Sequence, residues 1–356
     1  MPDIGRVVTT YVGERAEGVG RAFAPTPVIS VAAEDLGRGS PETEVAVLAA
    51  DARATVAATP GLRWVHVGHA GLDGSALGPL LEAGIAVTSA AGRSAPVLAE
   101  HALHFMLSLT YRAPSSMLLQ RRRTWAPPRG RGPWRGLHGR QVVIVGVGHT
   151  GRALAPLCAA LGMEVVGFRR RRAPAPPGFE RVHCTDDGDR LGDVVRGADI
   201  VVLAAGLNDA SRHMVGAAEL TALGPDGLLV NVARGELVDE RALRAALRSG
   251  ALAGAATDTV AVEPLPPWSP LWRTPGLLIT PHRTPPVADR AERALALLAE
   301  DVERYRAGRP LLNALGPEDV LHRPPRRTRR PRLERAATHR WARAEHRLAR
   351  LRGAVG

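Results

Sequence analysis

The stretch Val142–Gly151 constrains the fold of this chain more than any other feature, because it places three glycines directly after an apolar β-strand. Gly146, Gly148 and Gly151 follow the strand residues with the spacing GxGxxG. In such a unit the first glycine permits a tight turn, the second lets backbone approach a pyrophosphate, and the third lets the helix pack closely on the sheet. The pattern therefore predicts a strand that turns at once into a helix.

The residues after the glycines complete a βαβ unit. Apolar side chains recur at helical spacing between residues 153 and 161, and a second apolar strand is predicted for Glu164–Phe168. Phosphates bind at a helix N-terminus, where unpaired N–H groups and the helix dipole favour negative charge. We therefore expect this unit to bind a dinucleotide through the residues around the turn, namely Gly146, Gly148, His149, Thr150 and Gly151.

The end of the second strand bears on the choice of cofactor. NAD-binding units usually carry an acidic residue there, which accepts a hydrogen bond from the ribose 2′-hydroxyl. This chain has four consecutive arginines instead, Arg169 to Arg172. A guanidinium group suits a phosphate monoester, since it donates two parallel hydrogen bonds and keeps its charge. We expect NADP(H) to be preferred, with Arg169 and Arg170 as contacts and NAD(H) as a second cofactor; a solvated basic loop is the alternative.

Composition is typical of a globular protein in a reducing compartment. The chain has 356 residues, 45% of them hydrophobic, and no run approaches the roughly 18 apolar residues that a membrane helix needs. The N-terminal residues lack the features of a signal peptide. Only Cys158 and Cys184 are present, which favours reduced thiols. We expect a cytoplasmic location, no membrane partner and no metal site.

The net charge of +12 is concentrated at one end of the chain. Residues 317–356 carry twelve arginines against four carboxylates. Arg323–Pro331 lacks the apolar residues that build a core, so we expect the tail 317–356 to be disordered at its start, with a short basic helix over Arg332–Leu351. A solvated appendage is the favoured interpretation. Nucleic acid is not an expected partner, although contact with an anionic polymer is left open.

Strands and helices alternate along most of the sequence, which predicts parallel sheets with right-handed crossovers. Five short strands are predicted in the first part: Val7–Val12, Pro27–Val31, Glu44–Leu48, Arg63–Val67 and Ile85–Thr88. Four more are predicted after the dinucleotide unit: Ile200–Ala204, Gly227–Asn231, Gly254–Thr257 and Leu277–Thr280. The clearest helices are Pro96–Tyr111, Asp239–Ser249 and Val287–Ala307.

Polar residues at three sites follow predicted strands, at the sheet edge where ligands of open α/β sheets bind. They are Arg234, the pair Asp258 and Glu263, and His282. An arginine, a carboxylate and a histidine beside a nicotinamide suit the reduction of a 2-keto acid. The arginine would anchor the substrate carboxylate and polarise the carbonyl, and the histidine would donate a proton. A glutamate bonded to that histidine would raise its pKa.

With these residues in place, the chain resembles the D-isomer-specific 2-hydroxyacid dehydrogenase family over roughly residues 45–315. The resemblance rests on a set of motifs in family order and spacing: Ala99-Glu100-His101, Trp134 to Arg140, Asn231 to Asp239, Asp258 to Leu265, Pro270-Leu271-Trp272 and Thr280-Pro281-His282. The catalytic trio would then be Arg234, Glu263 and His282. Ala233 and Asp258 would contact the cofactor, Asp258 at the nicotinamide carboxamide. Backbone N–H groups of Gly71 and Leu72 would bind the substrate carboxylate.

The resemblance also implies the domain arrangement. A Rossmann-type doubly wound parallel sheet would be inserted into a smaller, flavodoxin-like α/β substrate domain. The expected segments are 1–112 and 285–316 for the substrate domain, 113–284 for the dinucleotide-binding domain, and 317–356 for the tail. A homodimer is implied as well.

The expected activity is hydride transfer from NAD(P)H, with NADPH preferred, to the C2 carbonyl of a small 2-keto acid, giving a D-2-hydroxy acid. Two alternatives share the fold. Formate or phosphite oxidation is disfavoured by Glu263, which the formate enzymes of the family are expected to lack. A nucleotide-sensing, co-repressor-like binding protein is the other, since such relatives also retain the trio.

Overall fold

The computed structural model describes residues 4–37, 43–132, 134–323 and 326–327. Two parallel β-sheets organise this part of the chain. The first contains β1 (Arg6–Thr9), β2 (Val28–Ser30), β3 (Thr43–Leu48), β4 (Trp64–Val67) and β5 (Ala86–Ser89). Its strand order is β2-β1-β3-β4-β5, which is the flavodoxin-like order. Helices α1 (Glu14–Phe23) and α2 (Leu77–Glu82) and a 3₁₀ segment at Ala54–Ala58 connect its strands.

The second sheet has seven strands in the order β13-β11-β10-β9-β6-β7-β8. They are β6 (Gln141–Val145), β7 (Glu164–Arg169), β8 (Arg181–Cys184), β9 (Ile200–Leu203), β10 (Leu228–Asn231), β11 (Gly254–Thr257) and β13 (Leu277–Ile279), with β12 (Val262–Glu263) outside the sheet. The connecting helices are α5 (His149–Ala160), α6 (Leu191–Val194), α7 (Ala217–Leu223) and α8 (Glu240–Ser249). All pairings in both sheets are parallel. The predicted doubly wound fold with a smaller flavodoxin-like sheet is therefore confirmed.

Two further helices follow the first sheet, α3 (Ala95–Thr110) and α4 (Ala113–Arg121). The sequence segment 1–112 includes α3, yet its buried residues Ala99, Ala102, Phe105 and Met106 pack against the second sheet. Leu154, Ala155 and Cys158 of α5 belong to the same core. The helix α3 therefore packs with α5 against the second sheet.

The chain returns to the first sheet after β13. Helix α9 (Arg290–Arg306) buries Leu298 and Val302 against a core that includes Val19 and Phe23 of α1. The first sheet is thus covered by helices from both ends of the described chain. No helix among the described residues is long and apolar enough to span a bilayer.

The expected disorder of the tail is wrong for residues 317–323. Pro317–Asp319 form a 3₁₀ turn, and Val320 and Leu321 pack against the cores of the first and second sheet respectively. Apolar and acidic side chains in this segment provide these contacts. The backbone of Arg326–Arg327 (β14) pairs in parallel with β12. The basic helix expected over Arg332–Leu351 lies outside the described residues.

Candidate active site

His282 and Glu263 form a hydrogen-bonded pair at the carboxyl edge of the second sheet. His282 Nδ1 lies 2.8 Å from Glu263 Oε2, and Glu263 Oε1 accepts a hydrogen bond from the Val260 N–H at 3.1 Å. Burial raises the pKa of Glu263, but its hydrogen bond to His282, the charge of that ring and the Val260 N–H outweigh burial, so the net pKa lies below its usual range. Glu263 is therefore a carboxylate at neutral pH.

The backbone of His282 has a left-handed conformation, with φ of 51°. Such a conformation is uncommon outside glycine and costs energy, so it persists only where the surroundings hold it. Asp258, which is 2% exposed, provides that support. Its carboxylate accepts hydrogen bonds from Thr280 Oγ1 at 2.5 Å and from the Arg283 N–H at 3.1 Å, on either side of His282.

Arg234 approaches the same region from the end of β10 and joins it to the first sheet. Its Nε donates to Asp73 Oδ1 at 2.7 Å, and its Nη1 donates to the Ala233 carbonyl at 2.8 Å. The loop 70–73 lies directly against the guanidinium group: a Cβ added to Gly71, whose φ is +78°, would lie 1.5 Å from Arg234 Nη2. Leu72 turns toward the core of the first sheet.

These groups line one cavity of about 210 Å³ between the two sheets. Its walls include Asp51, His69, Gly71, Asp73, Leu207, Arg234, Glu236, Glu263 and His282. The predicted trio thus meets in one place, with the predicted substrate loop opposite. Asp51 and Asp73 were not singled out from the sequence, since a lone aspartate after a strand carries no distinctive spacing.

Two other histidines near this loop differ in their surroundings. His69 lines the cavity, and its Nε2 lies 3.6 Å from Asp51. His66 is buried on β4 with Nδ1 2.9 Å from Thr88 Oγ1, and burial lowers its pKa to about 4. His101 on α3 is also buried, 3.9 Å from Asp258, and burial lowers its pKa. The burial of His101 on α3 favours a structural role for this histidine.

The dinucleotide turn has the shape that its glycines predict. Gly146 has a φ of +108°, and a Cβ there would lie 2.6 Å from the backbone of Ala204. A Cβ on Gly151 would lie 2.1 Å from the Gly146 carbonyl oxygen. A Cβ on Gly148 would meet nothing within 4 Å, so open space remains beside the N-terminus of α5. These residues fit a pyrophosphate at that helix end.

The other residues predicted to contact the cofactor lie at the start of α5 and at the ends of β10 and β11. His149 and Thr150 form the first turn of α5, and His149 Nε2 lies 2.7 Å from Asn313 Oδ1 in the segment after α9. Ala233 is buried, and its N–H donates to Asn231 Oδ1 at 3.0 Å. Asp258 holds the loop of His282 with its carboxylate, as described above.

The four arginines at the end of β7, Arg169 to Arg172, all have partners within the protein. Arg169 donates to the Pro174 carbonyl, and Arg172 pairs with Asp187. Arg170 pairs with Asp319 at 3.2 Å and lies 3.6 Å from Glu318, which also pairs with Arg171. Sequence reasoning missed these two carboxylates, because about 150 residues separate them from the arginines.

Comparisons with known proteins identify the relatives of this chain. Residues 103–284 match a protein family described as D-isomer specific 2-hydroxyacid dehydrogenase, NAD binding domain. The chain is 32% identical over 261 residues to an (S)-sulfolactate dehydrogenase of Chromohalobacter salexigens, covering 71% of this chain and 80% of that protein. It is 28% identical over 278 residues to a glyoxylate reductase of Korarchaeum cryptofilum, covering 75% of this chain and 80% of that protein.

Among solved structures, the fold matches a D-isomer specific 2-hydroxyacid dehydrogenase of Xanthobacter autotrophicus in complex with NADPH and MES. The TM-score is 0.72 and the sequence identity 30%, over 88% of this chain and 98% of the other.

Proposed function

The chain belongs to the D-isomer-specific 2-hydroxyacid dehydrogenase family of NAD(P)-dependent oxidoreductases, and we propose that it reduces the C2 carbonyl of a small 2-oxo acid to a D-2-hydroxy acid, with NADPH as the preferred cofactor. One observation carries the proposal. Arg234 and the His282–Glu263 pair line a single cavity, opposite the loop that contains Gly71. A cation and a proton donor are therefore available at one place.

The role proposed for each residue of the trio follows from the contacts of its side chain. Glu263 occupies Nδ1 of His282, which leaves Nε2 as the nitrogen that can donate a proton to the substrate oxygen. Glu263 is a positioning residue that orients the ring and stabilises its protonated form. Arg234 binds the substrate carboxylate and polarises the carbonyl, together with backbone N–H groups of Gly71 and Leu72. When bound, the nicotinamide supplies the hydride.

The cofactor proposal assigns the phosphates to Gly146, Gly148, His149, Thr150 and Gly151. Arg169 and Arg170 would contact a 2′-phosphate, while Ala233 and Asp258 would lie near the nicotinamide end. The support is the open face at Gly148 and the arginines at the end of β7. The NADPH complex of the Xanthobacter relative agrees with a nicotinamide cofactor.

Steady-state reduction of glyoxylate, hydroxypyruvate, pyruvate, phenylpyruvate and 2-ketoisocaproate with NADPH or NADH tests the proposal. We expect turnover on at least one of these, a higher kcat/KM with NADPH, and loss of turnover in a His282→Ala variant. Tight nucleotide binding without turnover on any substrate would contradict the proposal and favour a nucleotide-sensing protein.

We also propose the domain limits 1–112, 113–284 and 285–316, a cytoplasmic location and a homodimer. Exposed apolar side chains around α4 support the dimer: Tyr111 is 59% exposed, Met117 64%, Trp125 104% and Trp134 55%. Burial of such groups stabilises association. Sedimentation equilibrium tests this, since a monomer at micromolar concentration would contradict it.

A further inference from the structure

Residues 315–323, which we name the C-terminal strap, contact the cores of both sheets. On one side, the Leu315 N–H donates to the Val87 carbonyl at 2.9 Å, and Val320 packs against the core of the first sheet. On the other, Leu321 packs against the core of the second sheet, and His322 Nδ1 lies 2.5 Å from Asp209 Oδ2. The strap is therefore anchored at several independent points.

Between these anchors, the strap presents two carboxylates to the arginines after β7. Arg170 Nη2 lies 3.2 Å from Asp319 Oδ1 and 3.6 Å from Glu318 Oε1, and Arg171 also pairs with Glu318. Arg170 Nη1 additionally donates to the Glu318 carbonyl at 3.4 Å. The Gly316 N–H donates to Asp319 Oδ2 at 3.0 Å, which fixes the turn that carries both acids.

These ion pairs lie at the position that determines the choice between NAD and NADP. The end of the second strand is where a dinucleotide-binding unit reads the ribose 2′-position. Of the two arginines assigned to the 2′-phosphate, Arg170 is held by Asp319 and Glu318, and the neighbouring Arg171 is held by Glu318. A 2′-phosphate that binds these guanidinium groups therefore competes with two carboxylates of its own sign. A 2′-hydroxyl can donate a hydrogen bond to a carboxylate while the ion pairs remain.

We propose that Glu318 and Asp319 determine cofactor specificity by competing within the chain for Arg170 and Arg171 against the 2′-phosphate of NADPH. The inference rests on the cofactor site of the proposed function. With Glu318 and Asp319 present, the ratio of kcat/KM for NADPH to that for NADH is reduced. Without them, Arg170 and Arg171 can bind the 2′-phosphate without this competition, and the ratio is higher. The pairs are partly exposed, with 26% to 41% of the side chains accessible for Asp319, Glu318 and Arg170, so the effect is moderate and weakens with salt.

Calorimetric binding of two probes to the full-length chain tests this. Adenosine 2′,5′-bisphosphate carries the competing phosphate, and adenosine 5′-monophosphate lacks it. In a Glu318→Gln/Asp319→Asn variant we expect the bisphosphate to bind about three- to tenfold more tightly and the monophosphate to change less than twofold. The matched control is Asp193→Asn/Glu303→Gln, which removes the same charges from exposed pairs elsewhere.

The ratio of kcat/KM for NADPH to that for NADH should rise by the same factor in the strap variant and stay constant in the control. Unchanged or weaker binding of the bisphosphate by the strap variant would overturn the inference.

An Arg170→Gln/Arg171→Gln variant separates this failure from failure of the cofactor site. If this arginine variant binds the bisphosphate more weakly while the strap variant binds it as the wild type does, only the proposed competition is wrong. If the arginine variant binds the bisphosphate as tightly as the wild type, the assignment of the arginines is wrong and the inference is overturned with it. If the wild-type chain binds neither probe, the proposed dinucleotide-binding site itself is contradicted.

Discussion

His282 Nδ1 lies 2.8 Å from Glu263 Oε2, although the two residues are 19 positions apart and follow different strands. Glu263→Gln keeps the shape of the side chain but removes its charge, so the protonated ring loses stabilisation. We expect kcat for reduction to fall about a hundredfold, and its decline with rising pH to begin at lower pH than in the wild type. Rate against pH for both proteins measures this.

A purely structural role for Glu263 would lower the rate without moving the pH profile, and that outcome would contradict the prediction.

Because the pKa of Glu263 is lowered in the folded chain, its stabilising contribution is present above the unfolded-state pKa and is lost as pH falls through the folded value. The pair should therefore persist through neutral and mildly acidic pH.

Gly71 and Arg234 provide a second test, at the substrate loop. A Cβ at Gly71 would lie 1.5 Å from Arg234 Nη2, so Gly71→Ala should displace the guanidinium group and raise KM for the oxo acid about tenfold or more. Gly84→Ala is the matched control, since its φ of +72° imposes similar strain with nothing within 4 Å. Equal kinetic effects of the two substitutions would show that strain, not the contact with Arg234, is responsible.

A substitution at Gly148 tests the proposed dinucleotide-binding site without disturbing the fold. Its φ of −88° suits alanine, and a Cβ there meets no protein atom within 4 Å. Gly148→Ala should therefore leave Tm unchanged while blocking close approach of the phosphates, lowering NADPH affinity about tenfold or more. Fluorescence titration measures the affinity. Gly20→Ala, equally open but on α1, should bind NADPH normally; wild-type affinity in Gly148→Ala would place the phosphates elsewhere.

Local signals in the sequence predicted much of this structure. Helix α8 begins after Asp239, whose carboxylate accepts hydrogen bonds from the N–H groups of Arg241 and Ala242, and it ends at Gly250 in a left-handed conformation. The predicted bounds Asp239–Ser249 agree with this, because an aspartate caps a helix N-terminus and a glycine ends a helix. The turn after β6 follows from its glycine spacing, because a Cβ on Gly146 or Gly151 would meet backbone atoms, while Gly148 leaves open space beside the helix end.

Elements without such signals were missed. Helix α4 has no buried residue, so it shows no apolar periodicity. Strand β8 lies at a sheet edge and is only partly buried, and its four residues are too few to give a clear alternating pattern. The carboxylates beside Arg170 were missed for another reason: they reach it through the fold, across a separation that no local pattern records.

Asp301 on α9 links the stability of the chain to pH. Its side chain is buried, Oδ1 accepts the Leu312 N–H at 2.6 Å, and burial raises its pKa to about 6. Between the unfolded value of about 4 and this folded value, the native state binds more protons than the unfolded state, so stability falls as pH rises. Above pH 6 the buried charge costs about 3 kcal/mol at most, at 1.4 kcal/mol per pKa unit.

Asp301→Asn keeps an acceptor for Leu312 and carries no charge. We expect it to raise the free energy of unfolding at pH 7.5 by about 1–3 kcal/mol, with little difference from the wild type at pH 4. Urea unfolding across this pH range measures the effect. Glu303→Gln, an exposed acid on the same helix, should show no such dependence. A constant difference between Asp301→Asn and the wild type at every pH would mean that packing, not ionisation, sets the role of this residue.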